Sequence, residues 1–380
     1  MSTKNQIVGL AAVIIIIGGV WYFTHKSAPA PSQTEPIRIG FIAPLTGDAA
    51  AFGVPAQNAV KLAVEQINKN GGIAGRQIEV SYEDGKCTGQ DAASAAQKLV
   101  NATGVKYIIG GFCSSESFAI VPIASPAKVV VISPGSSAPK LSESGPYFLR
   151  NNPNDNAPGI ALADYAAKKY KAVAIISEQT DYGQGIKSVF SAEAQKQGLA
   201  IVSTQDYTSD TTDFRSLLVK VQSAHPDVIF INPQTSANFL RIAKQARQLG
   251  ISAAFMTTAV ADDTKIISPD SGTAINGAVI TLPPGLTTDG KGASFTADYT
   301  AAYGAAPSFG FYAAAAYDDV YLLGQAISSA GDDSTKVEQY LHAMPSYTGA
   351  IGTYSFDQNG DLVGMTPVIQ QIANGKLVGM

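Results

Sequence analysis

Two short loops rich in glycine and serine carry the residues best suited to bind a small anion. The first, residues 110–117, reads Gly-Gly-Phe-Cys-Ser-Ser-Glu-Ser and lies between a predicted strand and a predicted helix. The second, residues 133–138, reads Ser-Pro-Gly-Ser-Ser-Ala and follows the next predicted strand. Serine hydroxyls and free N–H groups at a helix start bind carboxylates, and glycine lets the backbone approach a ligand closely. Either loop alone also fits an ordinary helix cap, but the two at adjacent strand ends predict a carboxylate pocket.

A third segment places an aromatic residue at the start of a predicted helix in the second half of the chain. It reads Asp181-Tyr182-Gly183-Gln184-Gly185. Tyr182 would form an aromatic lid over a ligand. Helix capping by Asp181 and a turn at the glycines would explain the same segment without any ligand.

Other residues that could do chemistry do not form a recognisable site. The segment 357–361 resembles the start of a calcium loop, but Leu362 stands where that loop needs glycine and Val368 where it needs glutamate, so we predict a hairpin turn. His25, His225 and His342 are scattered, and the sequence has no nucleotide-binding, nucleophile-elbow or His/Cys metal motif. We therefore predict that the chain is not an enzyme and has no catalytic residue, cofactor or metal site.

Alternating strands and helices must position these loops. In the first half the predicted strands are 37–43, 78–83, 106–110 and 129–132, and the predicted helices are 54–70, 92–102 and 115–124. The order then restarts with helices 157–170, 186–197, 214–224 and 237–249, and strands 172–177, 200–205, 228–231 and 254–257. Helices 295–303, 311–330 and 335–344 follow, and a strand-turn-strand of 353–356 and 366–373 closes the chain.

This order predicts an α/β fold of two doubly wound parallel sheets in series, with a cleft between them. Ligands of such sheets bind beyond the carboxyl ends of the strands. The loops to inspect are therefore those after Ala43, Gly110, Ile132, Ile231 and Met256.

Length and composition agree with this architecture. At about 150 residues per domain, 380 residues suggest roughly two domains and a tail. Hydrophobic residues make up 46%, which is enough for real cores and too little for a polytopic membrane protein. A net charge of −4 argues against a nucleic-acid partner, because phosphate binding needs a basic face.

The N-terminus predicts export. Residues 7–23 are apolar and uncharged, with Lys4 before them and Lys26 after them, so 1–26 is predicted to be a signal anchor or a signal peptide. Residues 27–36, rich in Pro, Ser and Thr, form a tether. We favour an uncleaved membrane anchor, because prolines interrupt the small-residue cleavage pattern at Ala28 and Ala30; secretion after cleavage is the alternative. The two cysteines, Cys87 and Cys113, become a candidate disulfide in an exported chain.

Several motifs resemble the branched-chain amino-acid (Leu/Ile/Val) binding proteins of ABC importers. They are Pro44-Leu45-Thr46-Gly47, the run 63–75 that ends Gly71-Gly72-Ile73-Ala74-Gly75, Ser133-Pro134, the segment 181–185, Asp213-Phe214 and Phe356-Asp357. The resemblance covers roughly residues 36–380 in order and spacing. It implies a type I periplasmic-binding fold whose chain crosses between lobes near Asn151, Pro283 and Tyr347. One lobe would hold 37–151 plus 284–346 and the other 152–283 plus 347–380, joined by a three-strand hinge.

The resemblance also implies a set of ligand-binding residues and a Cys87–Cys113 disulfide. A serine placed like Ser114, a hydroxyl placed like Ser137 and the backbone near Gly135 would hold an amino acid's carboxylate, and the Gly135 carbonyl would accept from its ammonium. The remaining members of the predicted site are Phe52, Phe112, Ser136, Tyr182, Gln234, Thr235, Thr258 and Ala259.

One departure from the family leaves the ligand open. Amino-acid binders of the family usually place an acid after the strand that ends here at Met256, where this chain has Thr257-Thr258-Ala259-Val260-Ala261. A buried ammonium needs a partner, so either Asp262 or Asp263 swings in or the ligand lacks an ammonium.

The sequence thus predicts an extracytoplasmic receptor that closes around a small carboxylate-bearing metabolite, with a branched-chain type amino acid as the first choice. The expected partners are an ABC permease and, through the N-terminal helix, the membrane, and the soluble part is expected to be monomeric. The alternatives are a receptor for an amide, urea or non-amino carboxylate, and a ligand-binding sensor subunit, because the same fold serves both uses.

Overall fold

Two mainly parallel β-sheets form the framework of the protein, which we describe from a computed structural model. The structure describes residues 35–268, 273–286, 288 and 290–380. The predicted anchor 1–26 and most of the predicted tether 27–36 lie outside them. Residues 36–380 form one compact unit. Within the described ranges, no helix has the length and apolar character needed to cross a membrane.

The first sheet is fully parallel and has the strand order β2-β1-β3-β4-β5. Its strands are β1 (Ile37–Ala43), β2 (Ile78–Asp84), β3 (Tyr107–Gly110), β4 (Val130–Ser133) and β5 (Phe148–Arg150). The sequence predicted the first four and missed β5, because three residues are too few to display a strand periodicity. The carboxyl ends of β3 and β4 carry the two serine loops.

The helices of the first half largely follow the predicted ones. They are α1 (Ala50–Lys69), α2 (Gly89–Gln97), which continues as a π-helical segment (Lys98–Thr103), and α3 (Ser114–Ala124). Helix α1 begins four residues before its predicted first residue. Pro55, a residue type that is usual in the first turn of a helix, therefore lies in its second turn. It buries Phe52, Ala56, Ala59, Val60 and Ala63 at helical spacing.

The second sheet has the order β15-β14-β10-β9-β8-β6-β7. Strands β6 (Ala172–Glu178), β7 (Ala200–Tyr207), β8 (Val228–Asn232), β9 (Ala254–Thr257) and β10 (Val279–Leu282) run parallel, and β14 (Val368–Ala373) and β15 (Lys376–Gly379) are antiparallel additions. Its helices are α4 (Asn156–Lys169), α5 (Asp181–Lys196), α6 (Arg215–Ser223) and α7 (Ser236–Gln248). Strands β10 and β15 were not predicted.

The C-terminal region adds three helices and a small antiparallel sheet. The helices are α8 (Gly290–Tyr303), α9 (Gly310–Ala330) and α10 (Ser334–Ala343), and α9 packs along α1. The sheet orders β11 (Tyr347–Gly349), β12 (Gly352–Phe356) and β13 (Leu362–Val363). Phe309, just before α9, contacts Phe52 with ring centroids 4.1 Å apart.

The predicted pairing of the last two strands is wrong. Strand β12 pairs with the two-residue β13, whereas β14 leaves to pair with β10 in the second sheet. Gly364, at φ +100°, and Pro367 redirect the chain between them. The predicted hairpin turn at 357–361 is confirmed: the Gly360 N–H donates to the Asp357 carbonyl at 3.0 Å, and the Asp357 N–H donates to the Asp361 carbonyl at 2.9 Å.

The chain passes from the first sheet toward the second at a buried polar junction. The side-chain amide of Asn151 donates to Asp319 at 3.2 Å, to the Tyr354 hydroxyl at 3.0 Å and to the Ala315 carbonyl at 3.3 Å. Next to it, fully buried Arg150 donates through Nε to Asp361 at 2.7 Å. The division into lobes at 37–151 plus 284–346 and 152–283 plus 347–380 stays a prediction.

Candidate functional site

The first serine loop is fixed by a buried carboxylate and by a disulfide. The Glu116 side chain accepts hydrogen bonds from the N–H groups of Phe112, Cys113 and Cys87 at 2.8, 2.9 and 3.0 Å. Cys113, the residue before α3, is bonded to Cys87 with the two Cα atoms 5.3 Å apart, as the family resemblance implied. Gly110 is required here: it has φ +137°, and a Cβ would lie 2.1 Å from the Ile42 carbonyl oxygen. Together these contacts hold the first turn of α3 at one position.

The second serine loop is tied directly to the first. The Ser133 hydroxyl donates to the Gly111 carbonyl at 2.6 Å, and Ser136 donates to the same carbonyl at 2.7 Å. A Cβ on Gly135 would lie 2.6 Å from the Phe112 ring, so glycine is needed for the two loops to approach this closely. The two loops therefore lie side by side at adjacent strand ends, as predicted, and their mutual hydrogen bonds join them into one wall.

Two small chambers adjoin this wall. The first chamber, about 40 Å³, is lined by Phe52, Phe112, Cys113, Ser114, Gly135, Ser137, Tyr182, Gln234, Val260 and Tyr312. The second chamber, also about 40 Å³, is lined by Ser137, Asn152, Pro153, Asp155, Pro158, Tyr182, Thr258, Ala259, Thr281, Leu282, Pro283, Tyr312 and Pro367. Ser137, Tyr182 and Tyr312 line both chambers, so they separate one from the other. Each chamber has room for about one water molecule.

Nine of the eleven predicted ligand-binding residues line these chambers, and two do not. Ser136 turns its hydroxyl away from the chambers, onto Ser117 at 2.7 Å and the Gly111 carbonyl. Thr235 lies before α7 and accepts from the Asn238 N–H at 3.4 Å, so its hydroxyl serves as a helix cap.

The polar groups of the first chamber include a hydroxyl with a free proton to donate. Ser114 Oγ accepts from the N–H of Ser137 at 3.3 Å and of Ala138 at 3.1 Å. Because both contacts use its lone pairs, the hydroxyl proton remains for a ligand oxygen. Gln234 reaches this chamber from the second sheet, with its Nε2 3.9 Å from the sulfur of Cys113.

Tyrosine hydroxyls separate the two chambers. The Tyr182 hydroxyl lies 2.5 Å from the Oγ1 atom of Thr258, and Thr258 is the first residue after β9. Burial raises the pKa of Tyr182 well above its ordinary value, so the phenol is neutral. Burial likewise raises the pKa of Tyr312, with the charges of Asp155 and Asp262 adding to the effect. Both rings therefore act as neutral walls.

An acid that the sequence analysis missed lines the second chamber. Asp155 is 4% exposed, and within the described part of the chain its Oδ2 has no hydrogen-bond partner. Burial raises the pKa of Asp155 to about 7, although the Ser137 hydroxyl and the Arg150 charge lower it in part. In the sequence, Asp155 follows Asn-Asn-Pro-Asn and has the pattern of an ordinary turn, so no local signal distinguished it.

The two acids predicted as possible partners of a ligand ammonium, Asp262 and Asp263, line neither chamber. Asp263 accepts from the Ser236 hydroxyl at 2.7 Å and from the Lys265 N–H at 2.9 Å, and it lines an outer groove. Asp262 is half-buried beside it and lines neither chamber. Among the described residues, no three His, Cys, Asp or Glu side chains are grouped as they would be to hold a metal ion.

Comparison with known proteins assigns the family. Residues 36–376 match the family described as periplasmic binding protein. The chain belongs to this family. Its members are binding proteins and not enzymes, which confirms the prediction that the chain is not an enzyme, and they act outside the cytoplasm.

Individual relatives agree with the predicted resemblance. A leucine-, isoleucine-, valine-, threonine- and alanine-binding protein of Pseudomonas aeruginosa is 29% identical over 332 residues, which cover 86% of this chain and 87% of that protein. A leucine binding protein of Thermotoga maritima has a similar structure, with a TM-score of 0.82 and 27% identity. The match covers 90% of this chain and 97% of that one. A branched-chain amino acid transporter substrate binding protein of Streptococcus pneumoniae, in complex with isoleucine, is also similar, with a TM-score of 0.81 and 28% identity. The match covers 90% of this chain and 97% of that one. These matches confirm the resemblance to branched-chain amino-acid binding proteins and the α/β fold with two parallel-sheet lobes.

Proposed function

We propose that this protein is the receptor of an ABC importer and captures a small carboxylate-bearing metabolite, with an amino acid of the branched-chain type as the first choice. The observation that carries the proposal is the donor geometry of the first chamber. Ser114 stands in the first turn of α3 and keeps its hydroxyl proton free. A helix N-terminus and a hydroxyl donor in a buried chamber favour a carboxylate.

The walls of the first chamber suit an aliphatic or aromatic side chain. Phe52, Phe112, Val260 and Tyr312 supply apolar surface next to the polar wall. The ring of Phe112 is braced by Phe52 at 5.9 Å and by Tyr312 at 5.9 Å between centroids. A pocket with few convergent polar groups on an apolar lining is the usual form of a small-molecule site.

Ligand capture requires the chambers to widen. An amino acid is several times larger than the one water that each chamber can hold. The chambers lie between residues of the first sheet's loops and residues of the second sheet, such as Gln234 and Thr258. Opening at a three-strand hinge near Asn151, Pro283 and Tyr347, followed by closure on the ligand, would provide the space and then bury the ligand.

The proposal extends to the partners and the location. We infer that a membrane anchor at 1–26 and a tether at 27–36 hold the protein at the outer face of the membrane, where an ABC permease receives the ligand. The soluble part is proposed to act as a monomer. The relatives from Pseudomonas aeruginosa and Streptococcus pneumoniae are named for amino-acid binding or transport, which supports the choice of ligand class.

A second candidate is a receptor for a carboxylate or amide that lacks an ammonium group. The observation in its favour is the stretch 258–261 directly after β9, which carries no acid where the family's amino-acid binders usually place one. For either kind of ligand, a sensor subunit with the same fold is the alternative to a transport receptor.

Thermal unfolding of residues 36–380 in the oxidised form, with a ligand panel, tests the proposal. The panel is L-leucine, L-valine, L-threonine, 4-methylpentanoate, 3-methylbutylamine and acetamide. We expect Tm to rise with L-leucine or another amino acid, by an amount set by RT ln(1 + [L]/Kd), and not with the amine.

The matched variants for this assay are Ser114→Ala and Ser115→Ala. Ser115 lies one residue further along α3 and lines an outer groove, not the chambers. Ser114→Ala should abolish most of the ligand-induced rise and Ser115→Ala should retain it. Stabilisation by 3-methylbutylamine but by no carboxylate would contradict the proposal.

A further inference from the structure

The second chamber contains an acid, Asp155, of which one carboxyl oxygen has no hydrogen-bond partner among the described residues. Asp155 is 4% exposed, its Oδ2 has no hydrogen-bond partner within the described residues, and it is one of the residues that line the chamber. A buried carboxyl oxygen that lacks a partner is costly, and Asp319 has such an oxygen too, away from both chambers. Asp155 differs because it lines a chamber, where a ligand can reach its carboxyl group.

The nearest cation does not neutralise this acid. Arg150 is fully buried and directs its donors elsewhere: Nε to Asp361 at 2.7 Å, Nη1 to the Ala138 carbonyl at 2.8 Å and Nη2 to Ser142 at 2.9 Å. Its charge lowers the pKa of Asp155 only in part. The groups that face Asp155 from the other packed elements are neutral: Ser137, and the phenols of Tyr182 and Tyr312. The acid is therefore available to pair with a cation.

The neighbouring hydroxyls complete a site for a cation with several donors. Ser137 gives its proton toward Asp155, so its oxygen keeps lone pairs for another donor. Thr281 Oγ1 lines the same chamber and also lacks a partner among the described residues. An ammonium group donates three hydrogen bonds, and this chamber offers a carboxylate and hydroxyl acceptors on neutral walls.

We infer that the second chamber is an ammonium subsite and that Asp155 is the counter-ion of the ligand's ammonium. This assignment rests on the proposed function, and it replaces the acid that is missing after β9. The two chambers then divide the ligand: Ser114 in the first chamber binds the carboxylate, and Asp155 in the second pairs with the ammonium. Ser137, which lines both, accepts from the ammonium and does not donate to the carboxylate.

The other two acids near the site do not fit this role. Asp263 is already satisfied by the Ser236 hydroxyl and the Lys265 N–H. Asp262 lines neither chamber. Its charge influences the site by raising the pKa of Tyr312, which lines both chambers. These differences make Asp262→Asn the matched control for Asp155→Asn.

The test is calorimetric titration at pH 8 of wild type, Asp155→Asn and Asp262→Asn with L-leucine and with 4-methylpentanoate, its analogue without the ammonium. Truncating one partner of a buried charge pair costs at least about 30-fold in affinity. We expect Asp155→Asn to lose that much for L-leucine while its affinity for 4-methylpentanoate stays the same or rises. Asp262→Asn should stay within about threefold of wild type for both probes.

Each result supports or overturns the assignment. An equal loss for both probes in Asp155→Asn, or a selective loss of L-leucine in Asp262→Asn, overturns it, and the unliganded Tm of each variant shows whether it is folded. If wild type binds 4-methylpentanoate but neither L-leucine, L-valine nor L-threonine, the ammonium subsite is wrong and the receptor proposal stands. If wild type binds none of these probes, the choice of a branched-chain type amino acid as the ligand falls and the subsite with it.

Discussion

At the scale of single residues, the polar part of the site includes two serine hydroxyls, Ser114 and Ser137, and one buried acid, Asp155. Ser114 and Ser137 stand in serine-rich loops at predicted strand ends, so their type and position both predicted contact with a ligand. Asp155 stands in a turn sequence in which an aspartate is ordinary, and only the fold buries it against Tyr182. Ser136 is the opposite case. Its residue type fits a ligand site, but its hydroxyl donates to the Gly111 carbonyl and so joins the two loops.

The burial of Asp155 predicts an unusual dependence of stability on pH. Its pKa is about 7 in the folded protein, against about 3.9 in an unfolded chain, so the folded state holds the proton more tightly between these values. Stability contributed by this group is therefore full below pH 4 and is lost as the pH rises through 7. We expect Asp155→Asn, which cannot ionise, to raise the Tm of the unliganded protein by several degrees at pH 8 and to leave it nearly unchanged at pH 4.

Differential scanning calorimetry at pH 4 and pH 8 measures this effect. Asp181→Asn, at an exposed aspartate of α5, is the control and should show no such difference between the two pH values. A lower Tm for Asp155→Asn at pH 8 would mean that the ionised carboxylate is stabilised in the unliganded protein. That outcome would contradict the description of Asp155 as a buried acid whose Oδ2 has no partner among the described residues.

At the scale of elements, long periodic segments were predictable and short connecting strands were not. Strand β1 and helix α9 each carry enough apolar residues to fix their type, and their predicted bounds agree with the structure to within one residue. Strands β5 and β13 have three and two residues, and they exist because longer neighbours offer them a hydrogen-bonding edge. No local pattern encodes such an edge. The same cause explains the wrong pairing of β12, since the choice between β13 and β14 is made by tertiary contacts.

The disulfide joins the loop after β2 to the residue before α3, and it should stabilise the site's framework. It closes a loop with a sequence separation of 26 residues, for which chain-entropy arguments give about 3.5 kcal/mol. We expect a Cys87→Ser/Cys113→Ser double variant to lose about that much free energy of unfolding, measured by urea denaturation at 25 °C. It should also bind L-leucine more weakly, because Cys113 lines the first chamber.

The control for the disulfide variant is the wild type under reducing conditions, which should reproduce the loss without any substitution. A double variant as stable as the oxidised wild type would show that Glu116, with its three backbone hydrogen bonds, suffices to hold the loop.

The buried ion pair between β5 and the β12–β13 turn gives a second prediction at this scale. Arg150 is fully buried, and Asp361 accepts from its Nε at 2.7 Å. Removal of one partner leaves the other charge without compensation, so Arg150→Met should cost about 3–5 kcal/mol in urea denaturation. Arg215→Met, which breaks the exposed pair with Asp213 at 3.1 Å, should cost no more than about 0.5 kcal/mol. Equal costs for the two variants would contradict this account of the junction.

At the scale of the whole molecule, the alternation of strands and helices predicted two parallel sheets and a site beyond their carboxyl ends, and both sheets are present. What the sequence could not give is the distance between the two sheets' loops. That distance decides the size of the chambers, and it depends on contacts between the loops, such as the contact of Gln234 with Cys113 and the close approach of the Gly185 backbone to Pro139. The described structure therefore has a nearly filled site, in which each chamber holds about 40 Å³.

A nearly filled site predicts that the solution ensemble changes with ligand. An amino acid is larger than either chamber, so we expect the unliganded protein to populate a form in which the loops of the two sheets are further apart. A ligand that binds both walls stabilises the closed form by its differential affinity for it. We therefore expect the radius of gyration from small-angle X-ray scattering to fall when saturating L-leucine, or the panel ligand that raises Tm most, is added to wild type. Ser114→Ala at the same ligand concentration should show a smaller fall, because it lacks the donor on one wall. A ligand that binds by calorimetry without any change in the radius of gyration would mean that side chains alone make room for it, and that the hinge proposed near Asn151, Pro283 and Tyr347 is not needed for capture.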